Sequence, residues 1–250
     1  TPYTGDESYT VDTEPPYAVN IGRGGLPEGA NTQQVVFTAT FNEDVENVEG
    51  GDFTVTAPQF PSPTIVDVSS NDGGVLDSVW LITVDTGAPG EGGVRLDLND
   101  PPTIQDELGN AVQNGRTGDE TFFVDTVAPS VDSLSTAAPD PTGTAPIPFT
   151  VRFSEDMDPA TFTAGDLDVT NGNVSGFTQT GPRQWSFDVE PQNPGFTPYD
   201  VTVALPAGVC RDLRGNGNEA ATPVVRTFDS SAPTVSVTTT SDPLGYGATN

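Results

Sequence analysis

Apolar and polar residues alternate along short stretches of this chain, and nowhere do they repeat at helical spacing. Val35, Phe37, Ala39 and Phe41 take every second position, and so do Ile147, Phe149, Val151 and Phe153. The same holds for Trp80, Ile82 and Val84, for Trp185, Phe187 and Val189, for Val94, Leu96 and Leu98, and for Val201, Val203 and Leu205. A period of two puts one set of side chains on one face of an extended chain, the signature of a half-buried β-strand. Gly, Pro, Asn and Asp separate the stretches, and 27 Gly with 24 Pro leave no room for long helices. Such a composition by itself suits low-complexity disorder. The alternation and the regular placing of aromatic residues oppose that reading and predict an all-β protein.

The strands come in two sets of the same order. In each set an alternating strand runs into an acidic turn, Asn42-Glu43-Asp44 or Ser154-Glu155-Asp156. The next strand begins Asp52-Phe53-Thr54-Val55 or Asp166-Leu167-Asp168-Val169. Trp80 and Trp185, the only two tryptophans, then hold the same place, which predicts core anchors. The closing strands run through Phe122-Phe123-Val124 and Val225-Arg226-Thr227-Phe228. About seven strands per set, over about 100 residues, is the order of a two-sheet antiparallel sandwich of immunoglobulin-like architecture.

A junction segment marks the period. Val11-Asp12-Thr13-Glu14-Pro15-Pro16 returns as Val124-Asp125-Thr126-Val127-Ala128-Pro129, and more weakly as Phe228-Asp229-Ser230-Ser231-Ala232-Pro233. The expected organisation is therefore tandem. Residues 13–125 and 126–229 form two complete domains. Residues 1–12 are the last strand of a preceding domain, because Thr4-Gly5-Asp6-Glu7 matches Thr117-Gly118-Asp119-Glu120. Residues 230–250 begin a following one, so the chain reads as a piece of a longer array.

Charge narrows the partners. The net charge is −28, from 36 acidic and 8 basic residues, with neither Lys nor His. A nucleic-acid partner needs a basic stripe, and none exists. No run of about 18 apolar residues is present, so this segment predicts no direct membrane insertion. Three readings of the acidity stand side by side: a solvated, self-repelling surface, divalent-cation binding, and adaptation to high salt. One cysteine, Cys210, excludes a disulfide within the chain. It aligns with Ile104, as a small buried apolar residue would. Asn173-Val174-Ser175 is a sequon.

The acidic residues are not spread at random. Asp106-Glu107-Leu108-Gly109-Asn110 and Asp212-Leu213-Arg214-Gly215-Asn216 both follow the sixth strand, on the loop joining strands F and G. The acidic turns join B to C. In an immunoglobulin-like sandwich these two loops share one pole, where the chain also enters past Asp12 or Asp125. Two candidate sets follow. The first is Asp12, Glu43, Asp44, Asp106 and Asn110; the second is Asp125, Glu155, Asp156, Asp212 and Asn216. Asp229 would begin a third, whose partner loops lie past Asn250. Clustered carboxylates repel and raise one another's pKa. Ca2+ is the expected neutraliser, since it takes about 6–8 oxygen ligands in flexible geometry. Zinc would want the absent His or further Cys. The plain alternative for D-x-x-G-N is a tight turn, for which Asp, Gly and Asn are the usual residues.

The V-D-T-x-A-P junction, Phe153-Ser154-Glu155-Asp156-Met157, Thr161-Phe162-Thr163-Ala164-Gly165-Asp166, Asn171-Gly172 and D-x-x-G-N resemble the bacterial immunoglobulin-like repeats of large calcium-dependent surface adhesins. The resemblance covers essentially the whole chain and is clearest from Val124 to Ser230. The first unit departs from it at Asn42 and in the Pro-rich stretch from Pro58 to Pro63. It implies extracellular, cell-surface extender domains stiffened by calcium at their junctions. Their partners would be neighbouring repeats of the same chain and, in a filament, other copies. A viral fibre, a surface-layer or decoration protein of a salt-adapted host, and repeats that bind a ligand directly are the alternatives. Paired carboxylates also serve glycoside hydrolysis. Here they recur in each repeat rather than lining one cleft, and without His no nucleophile–His pair can form, so the chain does not read as an enzyme.

Overall fold

In the structure, a computed structural model that describes residues 11–193 and 198–238, the alternating stretches are strands. The chain divides into two compact units. The first takes the described residues up to Ser130 together with Glu155–Thr161 and Ala207–Glu219. The second takes Val131–Ser154, Phe162–Pro206 and the described residues from Ala220 onward.

Eight strands build the first unit: β1 (Ala18–Gly22), β2 (Gly29–Ala30), β3 (Gln34–Val45), β4 (Phe53–Thr56), β5 (Thr64–Ser70), β6 (Asp77–Asp85), β7 (Glu91–Leu98) and β8 (Phe122–Asp125). One sheet has the order β1-β3-β6-β5 and the other β2-β8-β7-β4. In immunoglobulin terms these are A-B-E-D and G-F-C, with the two-residue β2 added in parallel to β8. The inward face of β3 is Val35, Phe37, Ala39, Phe41 and Val45, all buried, and Phe37 meets Phe122 of the facing sheet edge-on at 5.0 Å. Trp80 is 7% exposed, and its indole N–H donates to the Asp77 carbonyl at 2.9 Å.

The second unit has seven strands: β9 (Val131–Ser135), β10 (Ile147–Phe153), β11 (Asp168–Thr170), β12 (Gly172–Gly181), β13 (Gln184–Pro191), β14 (Tyr199–Ala204) and β15 (Val224–Phe228). They form the sheets β12-β13-β10-β9 and β11-β14-β15, the same topology again. Burial alternates without a break along β10. Trp185 packs edge-on against Phe153 at 5.8 Å and Phe162 at 5.3 Å, and such pairs are each worth about 0.5–1.5 kcal/mol beyond the area they bury. The fold is therefore tandem immunoglobulin-like β-sandwiches. Cys210 and Ile104 are both fully buried, as their alignment requires.

One detail differs from the sequence expectation. Glu43 and Asp44 do not form a turn. They lie on the extended end of β3, where the pairing with β6 slips between Thr40↔Val79 and Val45↔Asp77. A bulge of this kind bends a strand and re-aims its side chains. Residues 230–238, the described part of the stretch expected to begin a following domain, hold no strand. Its remainder, and nearly all of the strand expected at 1–12, lie outside the described residues.

Candidate metal centres

Each D-x-x-G-N segment folds around its own aspartate. The Asp106 Oδ1 accepts the backbone N–H groups of Leu108 at 2.9 Å and Asn110 at 2.8 Å. The Asp212 Oδ1 accepts those of Arg214 at 2.7 Å, Gly215 at 2.6 Å and Asn216 at 2.9 Å. The turn closes because Gly109 and Gly215 take φ of +85° and +97°, a region that residues with a Cβ enter only at a cost. Asp106 and Asp212 are 4% and 3% exposed.

The strand-B segment is strapped to this turn. Glu46 N–H donates to the Gln105 carbonyl at 2.7 Å, and Gln105 returns a bond at 3.2 Å. In the other repeat a bridge pairs Met157 with Asp212, and Asp158 N–H donates to the Arg211 carbonyl at 2.9 Å. The junction is tied in as well, twice in each copy. Asn110 Nδ2 donates to the Asp12 carbonyl at 3.2 Å, and Gln113 N–H to the Pro16 carbonyl at 3.1 Å. Asn216 Nδ2 donates to the Asp125 carbonyl at 3.0 Å, and Glu219 N–H to the Pro129 carbonyl at 2.8 Å.

These ties bring three carboxylates together in each repeat. Asp12, Glu43 and Asp106 offer oxygens within 4.8 Å of one another, and so do Asp125, Glu155 and Asp212. Both groups fall within the first compact unit. Glu43 and Glu155 are half-buried. Asp12, Glu43, Asp44, Asp106 and Glu107 line a cavity of about 270 Å³ at the first group.

The electrostatics of the two groups differ. Burial and the charge of Asp212 push the Asp125 carboxyl up, against the opposing pull of the Val127 N–H and of Arg214. Burial also pushes Asp106 up. There, hydrogen bonds from the Asn110 side chain and from the N–H groups of Asn110, Leu108 and Gly109 outweigh it, so that carboxyl sits below its ordinary range. The surplus of oxygen acceptors suits a hard cation of calcium's type.

The other expected residues have different places. Asp44 faces the first cavity but is outside the three-carboxylate group. Asp156 is half-buried and likewise outside its group. Asn110 and Asn216 spend their amide N–H bonds on the junction carbonyls and on Asp106 Oδ2 (2.7 Å) and Asp212 Oδ2 (2.8 Å). These bonds fix each side chain across the site through Nδ2, and Oδ1 is the atom each could offer an ion. Asp229 belongs to no group among the described residues. Its Oδ1 accepts from the N–H and the hydroxyl of Ser231, which hold it below the ordinary range. Asp12 and Asp125 make the matching turn, to the N–H of Glu14 and of Val127, each at 3.0 Å. Glu107, on the cavity wall, was not among the expected ligands; its only sequence signal was its place beside Asp106.

Not every buried aspartate is of this kind. Asp52 accepts the Thr103 N–H at 2.6 Å, the Thr103 hydroxyl at 2.8 Å and the Glu49 N–H at 2.9 Å. Asp77 accepts the N–H groups of Asp72 and Val79. Both are satisfied by donors, as buried polar groups must be. Neither belongs to a three-carboxylate group.

Residues 125–227 match the bacterial Ig-like domain family. Among solved structures, the chain is similar to the N-terminal part of the bacterial S-layer protein SbsC at 15% identity, over 86% of this chain and 44% of that one, with a TM-score of 0.30. It is similar to titin domains I67–I69 at 7% identity, over 87% and 66%, with a TM-score of 0.31. Domains 5–6 of SbsC align at 12% identity, over 86% and 100%, with a TM-score of 0.23. The chain thus spans less than half the length of the first of these. No curated protein matches it.

Proposed function

We propose that these tandem Ig-like domains are structural spacers of an extracellular, cell-surface adhesin or filament, and that calcium at the two three-carboxylate groups stiffens the junctions. The observation that carries this reading is recurrence. A junction aspartate, a glutamate after strand B and an aspartate after strand F converge in the same way twice, about 100 residues apart. A chance surface cluster has no reason to repeat with its hydrogen-bonded scaffold intact.

The physics is simple. An ion shared by the junction aspartate and two loops of the sandwich that follows fixes the direction in which the chain enters that sandwich. Without the ion, three carboxylates within 4.8 Å repel one another and loosen the entry. A row of such junctions makes a rod that holds a distal binding domain away from the surface. Small-angle scattering tests this directly. The expected result is a longer, narrower distribution of distances in calcium than in chelator. The same distribution in both would overturn the stiffening role.

A further inference from the structure

The two three-carboxylate groups share a scaffold but differ at one position of the D-x-x-G-N turn. The third residue is Leu108 in the first copy and Arg214 in the second. Leu108 is 56% exposed. The Arg214 guanidinium lies over the Phe123 ring, with its carbon 5.2 Å from the ring centroid. Phe123 stands on β8, two residues before Asp125, and its partner in register across the parallel pair is Gly29 of β2. A methyl group on Gly29 would collide with the Arg214 guanidinium. The absent side chain at Gly29 leaves the space in which the cation rests on the ring.

The repeat supplies its own control. In the junction alignment Phe123 corresponds to Thr10, which has no ring, and Arg214 to Leu108, which has no charge. Both halves of the contact are present in one copy and both are missing from the other.

We propose that Arg214, Phe123 and Gly29 form an ion-independent clasp that holds the Asp212 turn beside Asp125 when no cation is bound. The second junction keeps its geometry through loss of the ion better than the first, which has only its hydrogen-bonded ties. Arg214 also places one positive charge near a group of three negative ones. The clasp thus sets an order in which junctions along the chain loosen as the cation is withdrawn. That order rests on the calcium reading above; the clasp itself does not.

Hydrogen exchange of the Gly215 and Asn216 amides, both bonded to Asp212 Oδ1, is the test. In chelator, Arg214→Leu is expected to speed their exchange roughly two- to fivefold, the range of an exposed cation–π contact. Phe123→Leu should do the same, and the double variant should exchange no faster than either single one. Arg214→Lys, which keeps the charge, should recover part of the protection. Wild-type rates in Arg214→Leu, or additive effects in the double variant, would overturn the clasp. Calcium added afterwards separates the two claims. If it changes no variant while Arg214→Leu still differs in chelator, the cation reading fails and the clasp stands.

Discussion

Asp125 is the residue at which burial and ionisation oppose each other. It is 4% exposed and shares its group with two other carboxylates. Burial and the Asp212 charge raise its folded pKa, so the folded chain holds that proton more tightly than the unfolded chain does. Its ionised form therefore weakens the fold at neutral pH, and the penalty fades as pH falls through the raised pKa. Asp106 works in the opposite sense. Its hydrogen bonds lower the folded pKa, so its contribution is full above the ordinary carboxylate value of about 3.9 and is lost as pH falls through the folded value. Asp125→Asn keeps an oxygen for the Val127 N–H and removes the charge. In chelator at neutral pH it should melt at or above the wild-type temperature, with the Asp125 share of the acid-side gain gone. In calcium it should lose the second junction's share of the ion's stabilisation. Thermal melts across the acid range, with and without calcium, check both halves. A variant less stable than wild type in chelator would count against a repelling cluster.

At the scale of elements, what the sequence reveals depends on burial. β3, β10 and β13 were legible because one face is core and the other solvent, so their residues alternate. β12 was not. It is an edge strand with Gly172, Gly176 and Gly181, two register slips and little buried surface. β2 is only Gly29–Ala30, too short for any period. The convergence of the junction aspartate with the B and F–G segments was legible because repetition exposed it. The aim of each side chain was not: whether Glu43 or Asp44 turns inward depends on a bulge in β3, and no residue pattern announced that slip. That each Asn amide nitrogen would be tied to the aspartate of its own turn was not legible either; only geometry shows Nδ2 bonded to Asp106 and Asp212. Core strands carry the stability. Trp185→Ala should cost about 3–5 kcal/mol, whereas Val66→Ala, at a 51% exposed position on edge strand β5, should stay within about 0.5 kcal/mol. Denaturant midpoints of the two variants check the contrast, and equal losses would contradict the placing of the core.

For the whole molecule, the dominant quantity is charge. The eight arginines are all engaged. Arg23, Arg95, Arg116 and Arg152 pair with carboxylates. Arg183, Arg211 and Arg226 donate to backbone carbonyls, and Arg214 lies on Phe123. With 36 acidic residues and no Lys or His, most of the negative surface has only solvent ions to balance it. Such a surface repels other copies and favours extension, which suits a spacer. Its diffuse field attracts cations over the whole surface, so calcium-stiffened junctions require two places that bind the ion tightly. Calorimetric titration with calcium, in enough monovalent salt to screen the diffuse surface, tests this most directly. Two saturable sites per chain are expected, one lost in Glu43→Gln and the other in Glu155→Gln, with magnesium a poor substitute. No saturable binding, or two sites persisting in both variants, would contradict calcium binding at the junctions.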